Sequence, residues 1–118
     1  ENGYDIEIIE KHHNQKIDAP SGTAKLLYDV IHEDIEETKE VYDRSTVHHK
    51  RERNEVGIQS VRAGTIFGEH SVLFAGHDEI IEVKHTALSK EVFVQGAISA
   101  CLKIADKENG LFSLKNLY

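Results

Sequence analysis

The chain has 118 residues, about one domain's worth, with 21 acidic and 14 basic side chains and a formal net charge of −7 at pH 7. This acidic balance argues against a broad nucleic-acid-binding face, because phosphate contacts need a basic surface. No apolar run approaches the length of a membrane span, and no signal peptide is visible, so no membrane partner is expected. Cys101 is the only cysteine, which excludes an internal disulfide and favours a reducing, cytoplasmic location.

The first predicted strand covers residues 4–10, where β-branched side chains roughly alternate with polar ones. It leads directly into residues 11–16, which hold two histidines and two lysines. Ligand sites in α/β proteins often lie at strand ends, so this cationic segment is a candidate site for an anion. The chain begins without methionine and enters the strand almost at once, so we expect a piece of a longer protein.

A helix is predicted from about residue 21 to residue 37, with Ser21 or Thr23 as its N-cap. Its charges oppose the macrodipole, since Lys25 lies in the first turn and four carboxylates lie near the end. An uncovered positive helix end predicts a site for an anionic ligand, although a solvated acidic helix end would show the same pattern. One face of the helix is apolar and consists of Ala24, Leu27, Tyr28, Ile31 and Ile35.

Residues 38–55 are polar and irregular, and we expect a long surface loop with a short strand near 40–42. His48 and His49 lie in this loop. Adjacent histidines alone are poor support for a metal site, so we interpret them as solvated side chains.

Three further strands are predicted at 56–62, 69–75 and 79–85, and their short glycine-containing connections favour antiparallel neighbours. The fold class is therefore α+β: a mixed, largely antiparallel sheet of at least four strands, with helix 21–37 on one face. A C-terminal helix completes it. The other face of the sheet has no helix left to cover it, so we expect it to be buried in an oligomer.

The last helix is predicted at about 90–107, with Ser89 as N-cap and Gly110 after its end. Cys101 is interpreted as a small buried hydrophobe. Gly96 and its small neighbours suggest that another element approaches closely, and the chain offers no good partner for that surface.

Three stretches, at residues 10–24, 61–70 and 107–112, carry a resemblance that spans essentially the whole chain. They closely resemble the 4-hydroxy-tetrahydrodipicolinate (dihydrodipicolinate) reductase family of the lysine and diaminopimelate pathway. The most specific of them reads Glu10-x-His12-His13-x-x-Lys16-x-Asp18-Ala19-Pro20-Ser21-Gly22-Thr23-Ala24.

The resemblance implies a two-domain oxidoreductase. Its N-terminal Rossmann domain binds NADH or NADPH; its second domain binds a cyclic dicarboxylate and builds a homotetramer through the sheet. This chain is similar to that second domain over 1–118, with 89–118 expected to pack on the absent Rossmann domain. Residues 64–68 do not meet the dinucleotide fingerprint, so no cofactor-binding residue is assigned and no bound cofactor is expected. The isolated piece is therefore predicted to be inactive.

The resemblance also implies roles for the site residues. His12 matches the general acid that supplies a proton after hydride reaches the ring, a role that suits histidine because its ordinary pKa is near neutral pH. Lys16 matches the residue that binds a carboxylate and stabilises developing charge, and His13 matches a substrate contact. The carboxylate cradle at the helix start corresponds to Ser21, Gly22 and Thr23.

Several alternatives stay open at this point. The cationic segment could be a solvated loop, or His12 and His13 could bind a metal, although the spacing of a metal site is missing. Arg62 could meet a substrate carboxylate or an adjoining subunit. The chain could also be a non-catalytic dicarboxylate-binding module or chiefly an assembly module. Three residues at strand ends are interpreted as structural hydrogen-bonding residues: Glu69, His70 and His85.

Overall fold

The structure is a computed structural model, and it describes residues 3–118. The described chain divides into two compact units between Thr86 and Ala87. In chain order the elements are β1 (Asp5–His12), α1 (Gly22–Asp34), β2 (Lys39–Val41), a 3-10 turn (Arg44–Thr46), β3 (Glu55–Arg62), β4 (Gly68–Ala75), β5 (Ile80–Ala87), α2 (Glu91–Ala105) and α3 (Leu114–Leu117).

Within residues 3–118 the strands form one five-stranded mixed sheet in the order β2-β3-β1-β4-β5. This confirms the α+β class, the helix on one face and the C-terminal helix. β3 pairs in parallel with both β1 and β2, whereas β1 and β4 are antiparallel. The short strand expected near 40–42 is β2.

The prediction that strands 56–62 and 69–75 are direct neighbours is wrong, because β1 lies between them. Neighbouring strands are about 4.8 Å apart, so the short link from Arg62 to Gly68 can cross the end of one intervening strand. A short connection therefore limits how far apart two strands lie, and it does not require that they pair.

The core lies between the sheet and α1. Along β1, Ile6 and Ile8 point towards the helix, and their register partners on β3 and β4 are also apolar. Burial of such side chains contributes about 25 cal/mol per Å² of apolar surface removed from water. The buried cluster consists of Ile6, Ile8, Ala24, Tyr28, Val56, Ile58 and Val72.

Helix α1 begins at the predicted N-cap, Ser21, whose Oγ accepts a hydrogen bond of 3.2 Å from the Ala24 amide. It ends at Asp34, earlier than the predicted residue 37. The cause is local: the amide and the hydroxyl of Thr38 both donate to the Ile35 carbonyl, which turns the chain out of the helix. Only part of the predicted acidic stretch therefore belongs to the helix, and its first turn has no carboxylate.

The opposite face of the sheet carries charged pairs. Glu69 accepts from Lys11 and Lys84, each at 3.1 Å. Glu7 pairs with Arg51 at 3.0 Å and lies across from Gly57, where a Cβ would come within 1.7 Å of the Glu7 carboxylate. Burial of this face in an oligomer stays a prediction.

The second unit contains α2 and α3. Lys90 stands at the N-cap of α2, not Ser89 as predicted, although Ser89 Oγ accepts a hydrogen bond of 3.2 Å from the Glu91 amide. Cys101 is exposed, so its predicted burial is wrong; no residue of α2 is buried. The short α3 was not predicted, and Tyr118 beside it hydrogen-bonds Ser99 at 2.5 Å.

None of the described helices is both long enough and apolar enough to cross a membrane.

Candidate functional site

The face of the sheet that packs on α1 changes from apolar to polar at the carboxyl end of β1. The position after Ile8 on this face is Glu10, and the next is His12. Glu10 aligns with Ser60 on β3 and with His70 on β4. Since β3 is parallel to β1, polar groups of two strand ends meet here, next to the start of α1.

Glu10 is fully buried, with 0% of its surface exposed, and its carboxylate is the centre of the cluster. Arg62 holds it in a bidentate pair, with Nη1 at 2.8 Å from Oε2 and Nη2 at 2.7 Å from Oε1. His12 Nδ1 lies 2.5 Å from Oε2, and the Ser21 amide donates to Oε1 at 3.2 Å. One carboxylate thus joins the end of β1, the end of β3 and the N-cap of α1.

Two opposing effects set the pKa of Glu10. Burial raises it, because the charged form loses its hydration. Hydrogen bonds from Arg62, Ser60 and His12 favour the charged form more strongly and hold the pKa at about 2. Glu10 is therefore ionised at neutral pH and acts only as an acceptor, so Nδ1 of His12 must donate to it.

His12 is positioned by two contacts, and its Nε2 has space beside it. Its Nδ1 bonds Glu10, and its ring meets the His70 ring edge-on at a centroid distance of 5.1 Å. A Cβ at position 68 would lie 3.3 Å from Nε2, so Gly68 leaves room beside that nitrogen. With Nδ1 engaged, Nε2 is the nitrogen that can exchange a proton with a ligand.

His70 connects the cluster to the helix start, since its Nε2 lies 2.8 Å from Ser21 Oγ. Burial and the neighbouring His12 lower the pKa of His70, which favours a neutral ring at neutral pH. His70 therefore makes a structural hydrogen bond of the kind expected for it, but within the candidate site.

The cationic segment folds back over the strand end. The Ala63 amide donates to the His12 carbonyl at 2.9 Å, and the Asn14 amide donates to the Gly64 carbonyl at 3.1 Å. His13 Nδ1 accepts from the Gln15 amide at 3.2 Å. These contacts tie the segment to the turn after β3 and keep it beside Glu10.

Lys16 joins the same cluster through Asp18. Lys16 Nζ lies 2.9 Å from Asp18 Oδ1, and the hydrogen bond from Lys16 lowers the pKa of Asp18. Arg62 Nη2 donates to the Asp18 carbonyl at 2.8 Å. The Asp18 side chain is 66% exposed, so water screens this pair, and a ligand carboxylate can compete for the ammonium group.

The predicted cradle at the helix start divides into two parts. Ser21 is buried, and both its hydroxyl and its amide already have partners inside the chain. Gly22 and Thr23 are exposed, and a Cβ at Gly22 would meet nothing within 4 Å. The open part of the cradle is therefore formed by the first backbone amides of α1, which favour an anion.

The structure thus links three of the predicted site residues to one carboxylate: His12 and Ser21 contact Glu10 directly, and Lys16 reaches it through Asp18 and Arg62. His13 follows His12 in the chain, and Gly22 and Thr23 follow Ser21 at the start of α1. Sequence reasoning missed the central role of Glu10. The alternation along β1 contains this information, because Glu10 follows Ile6 and Ile8 at a spacing of two residues and therefore lies on the face that packs on the core. Arg62 pairs with Glu10, a partner that neither of its predicted roles included.

Gly64 and the paired histidines of the loop between β2 and β3 are the remaining candidates from the sequence. Gly64 has a φ of 47° and stands in the turn that joins β3 to β4, where no helix opens to receive a phosphate. Among residues 3–118, no group of three or more His, Cys, Asp or Glu side chains is arranged to hold a metal ion. His49 Nδ1 contacts the Lys50 carbonyl at 2.7 Å.

The model of one protein family, described as dihydrodipicolinate reductase, C-terminus, matches residues 1–118 of this chain. The chain belongs to this dihydrodipicolinate reductase family. Curated relatives named 4-hydroxy-tetrahydrodipicolinate reductase include those of Exiguobacterium sibiricum, 58% identical over 115 residues, and Clostridium novyi, 56% identical over 114 residues. A third, from Staphylococcus aureus, is 51% identical over 114 residues.

A solved structure in the dihydrodipicolinate reductase family has the same fold. It is the dipicolinate-bound reductase of Paenisporosarcina sp., with a TM-score of 0.74 and 27% identity over 97% of this chain. The match covers 44% of that protein. The match to the Exiguobacterium sibiricum relative likewise covers 98% of this chain but only 46% of that protein. The chain thus spans about half the length of the curated reductases that it matches.

Proposed function

We propose that this chain is the substrate-binding part of a 4-hydroxy-tetrahydrodipicolinate reductase, which reduces a cyclic dicarboxylate on the route to diaminopimelate and lysine. The observation that carries the proposal is the Glu10 carboxylate, which holds His12 and the start of α1 in one place. A proton donor and an anion cradle are therefore neighbours, as the reduction of a dicarboxylate ring requires.

The cluster offers separate partners for the two ligand carboxylates. One carboxylate suits the first amides of α1 at Gly22 and Thr23, where the helix dipole favours negative charge. The other suits Lys16 and His13 on the cationic segment. Binding to Lys16 replaces its exposed pair with Asp18, so the ammonium group exchanges one carboxylate for another.

In this proposal His12 supplies the proton from Nε2, and Lys16 stabilises negative charge that develops on the ring. A nicotinamide cofactor, NADH or NADPH, supplies the hydride when it is bound. The described residues do not form a dinucleotide fingerprint, so we assign its binding to a Rossmann domain in the remainder of a longer protein.

The proposal includes the assembly of that longer protein. Residues 89–118 are proposed to pack on the Rossmann domain, supported by α2, whose apolar side chains Val94, Ile98 and Leu102 are all exposed. We further propose a cytoplasmic homotetramer joined through the free face of the sheet. The 118-residue chain alone would then lack reductase activity, and measurable turnover by it would contradict this assignment.

The substrate site can be tested with pyridine-2,6-dicarboxylate as the probe, using calorimetry on the full-length protein that contains this chain. Lys16→Ala is expected to weaken binding by about tenfold or more, because one carboxylate loses its charged partner. The control is Lys39→Ala, which removes an exposed lysine of β2 that is ion-paired with Glu52 and should leave the Kd within about twofold.

Equal Kd values for the two lysine variants would place the ligand elsewhere. Tight binding of the probe by a full-length protein that shows no turnover with either NADH or NADPH would instead favour the non-catalytic dicarboxylate-binding module.

A further inference from the structure

We propose that Glu10 is the positioning residue of this site: it fixes His12 with the proton on Nδ1, so that Nε2 faces the bound dicarboxylate. This inference rests on the proposed function, in which His12 is the proton donor. It assigns a role to a side chain that touches no ligand itself.

The first support is the number of contacts that hold the Glu10 carboxylate still. Arg62 binds both oxygens, and the Ser21 amide adds a third donor. The side chain has no exposed surface, so water does not compete for these oxygens. The carboxylate therefore cannot turn away from His12 without breaking three other hydrogen bonds.

The second support is the chemistry of the contact between Glu10 and His12. An ionised carboxylate has no proton to donate, so the 2.5 Å contact requires a proton on Nδ1. In the neutral ring this leaves Nε2 as an acceptor, and in the charged ring it makes Nε2–H the donor. Gly68 leaves space on the Nε2 side, where a Cβ would come within 3.3 Å.

The neighbouring His13 provides an internal comparison. Its Nδ1 accepts a hydrogen bond of 3.2 Å from the Gln15 amide, so its neutral ring carries the proton on Nε2. Two adjacent histidines are thus expected to have opposite tautomers, because only one of them contacts a buried carboxylate.

The first experiment is ¹⁵N NMR of histidine-labelled full-length protein under mildly alkaline conditions, with assignments from the His12→Ala and His13→Ala variants. The expected result is the Nδ1–H tautomer for His12 and the Nε2–H tautomer for His13. An Nε2–H tautomer at His12 overturns the proposal. This measurement needs no substitution at Glu10, so it tests the proposed tautomer of His12 even if Glu10 variants do not fold.

The second experiment measures kcat and KM for Glu10→Gln in the wild-type and His12→Ala backgrounds. If Glu10 acts through His12, kcat should fall by about tenfold or more in the wild type and by less than about threefold without His12. Any change in KM should appear in both backgrounds, because Glu10 also holds Ser21 and Arg62.

The matched control is Glu33→Gln, which removes an exposed carboxylate from the last turn of α1 and should leave kcat within about twofold in both backgrounds. Equal losses of kcat from Glu10→Gln in the two backgrounds, or no loss at all, would overturn the positioning role. A wild-type protein that does not bind pyridine-2,6-dicarboxylate contradicts the proposed function instead, so the two failures are distinguishable.

Discussion

At the scale of single residues, Glu10 and His12 show that one strand supplies both core residues and residues of the candidate site. Both lie on the face of β1 that carries the buried Ile6 and Ile8, at the carboxyl end of the strand. A charge at such a position is stable only when it is fully paired, and Arg62 provides that pairing. The chemistry of the site thus depends on a buried ion pair that no local pattern reveals.

We expect His12→Ala to lower kcat of the full-length enzyme by about 10²–10⁴-fold, which is the usual contribution of a positioned general acid. Steady-state assays with NADPH measure this directly. His48→Ala is the control, since His48 lies in the loop between β2 and β3. An unchanged kcat would remove His12 from the mechanism.

A pH dependence follows from the Glu10 carboxyl. Its pKa falls from 4.5 to about 2 on folding, so the unfolded chain binds more protons in this interval. The stabilisation of the fold by the ionised Glu10 carboxylate is complete above about pH 5 and is lost as the pH falls towards 2. Urea unfolding should show the wild type losing its advantage over Glu10→Gln by about 2 kcal/mol between pH 7 and pH 3. A constant difference would contradict the assigned pKa.

The elements themselves were largely predictable. The strands lie within two residues of their predicted limits because alternation is a local signal, and residue type limits the N-cap of α1 to Ser21 or Thr23, of which the structure has Ser21. The sequence could not show that β1 separates β3 from β4, because pairing is decided by contacts distant in the chain. The sequence also predicts burial of Cys101, which is exposed, because an apolar helix pattern does not by itself show that the helix is covered.

The start of α1 gives a prediction of its own. Ser21→Ala should lower the free energy of unfolding by about 1 kcal/mol, because the Ala24 amide loses its cap. Thermal melts of the two proteins measure the difference. Ser113→Ala, at the cap of the four-residue α3, is the control and should shift the midpoint less. Equal shifts would contradict a larger contribution of the α1 cap to the free energy of unfolding.

At the scale of the whole molecule, the proposed assembly concerns the face of the sheet away from α1. Val61 lies on that face beside Lys11 and is 39% exposed. If the face joins subunits, Val61→Glu should convert a tetramer into smaller species, because it places a charge in the interface. Light scattering of the full-length protein measures the mass.

The control for assembly is Val30→Glu, an equally polar change on the exposed side of α1, where the residue is 53% exposed. It should leave the mass unchanged. A wild-type protein that is strictly monomeric would contradict association through the sheet.

The buried carboxylate of Glu10 is held by groups from three residues, His12, Ser21 and Arg62, which reach it only when both parallel strands and the helix are in place. A partly folded chain therefore cannot assemble the anion cradle. A dicarboxylate at 100 times its Kd would then protect the entire first unit against unfolding by about 2.7 kcal/mol. Slowed amide hydrogen exchange should extend to the buried core at Ile8 and Ile58, far beyond the residues that the small molecule touches.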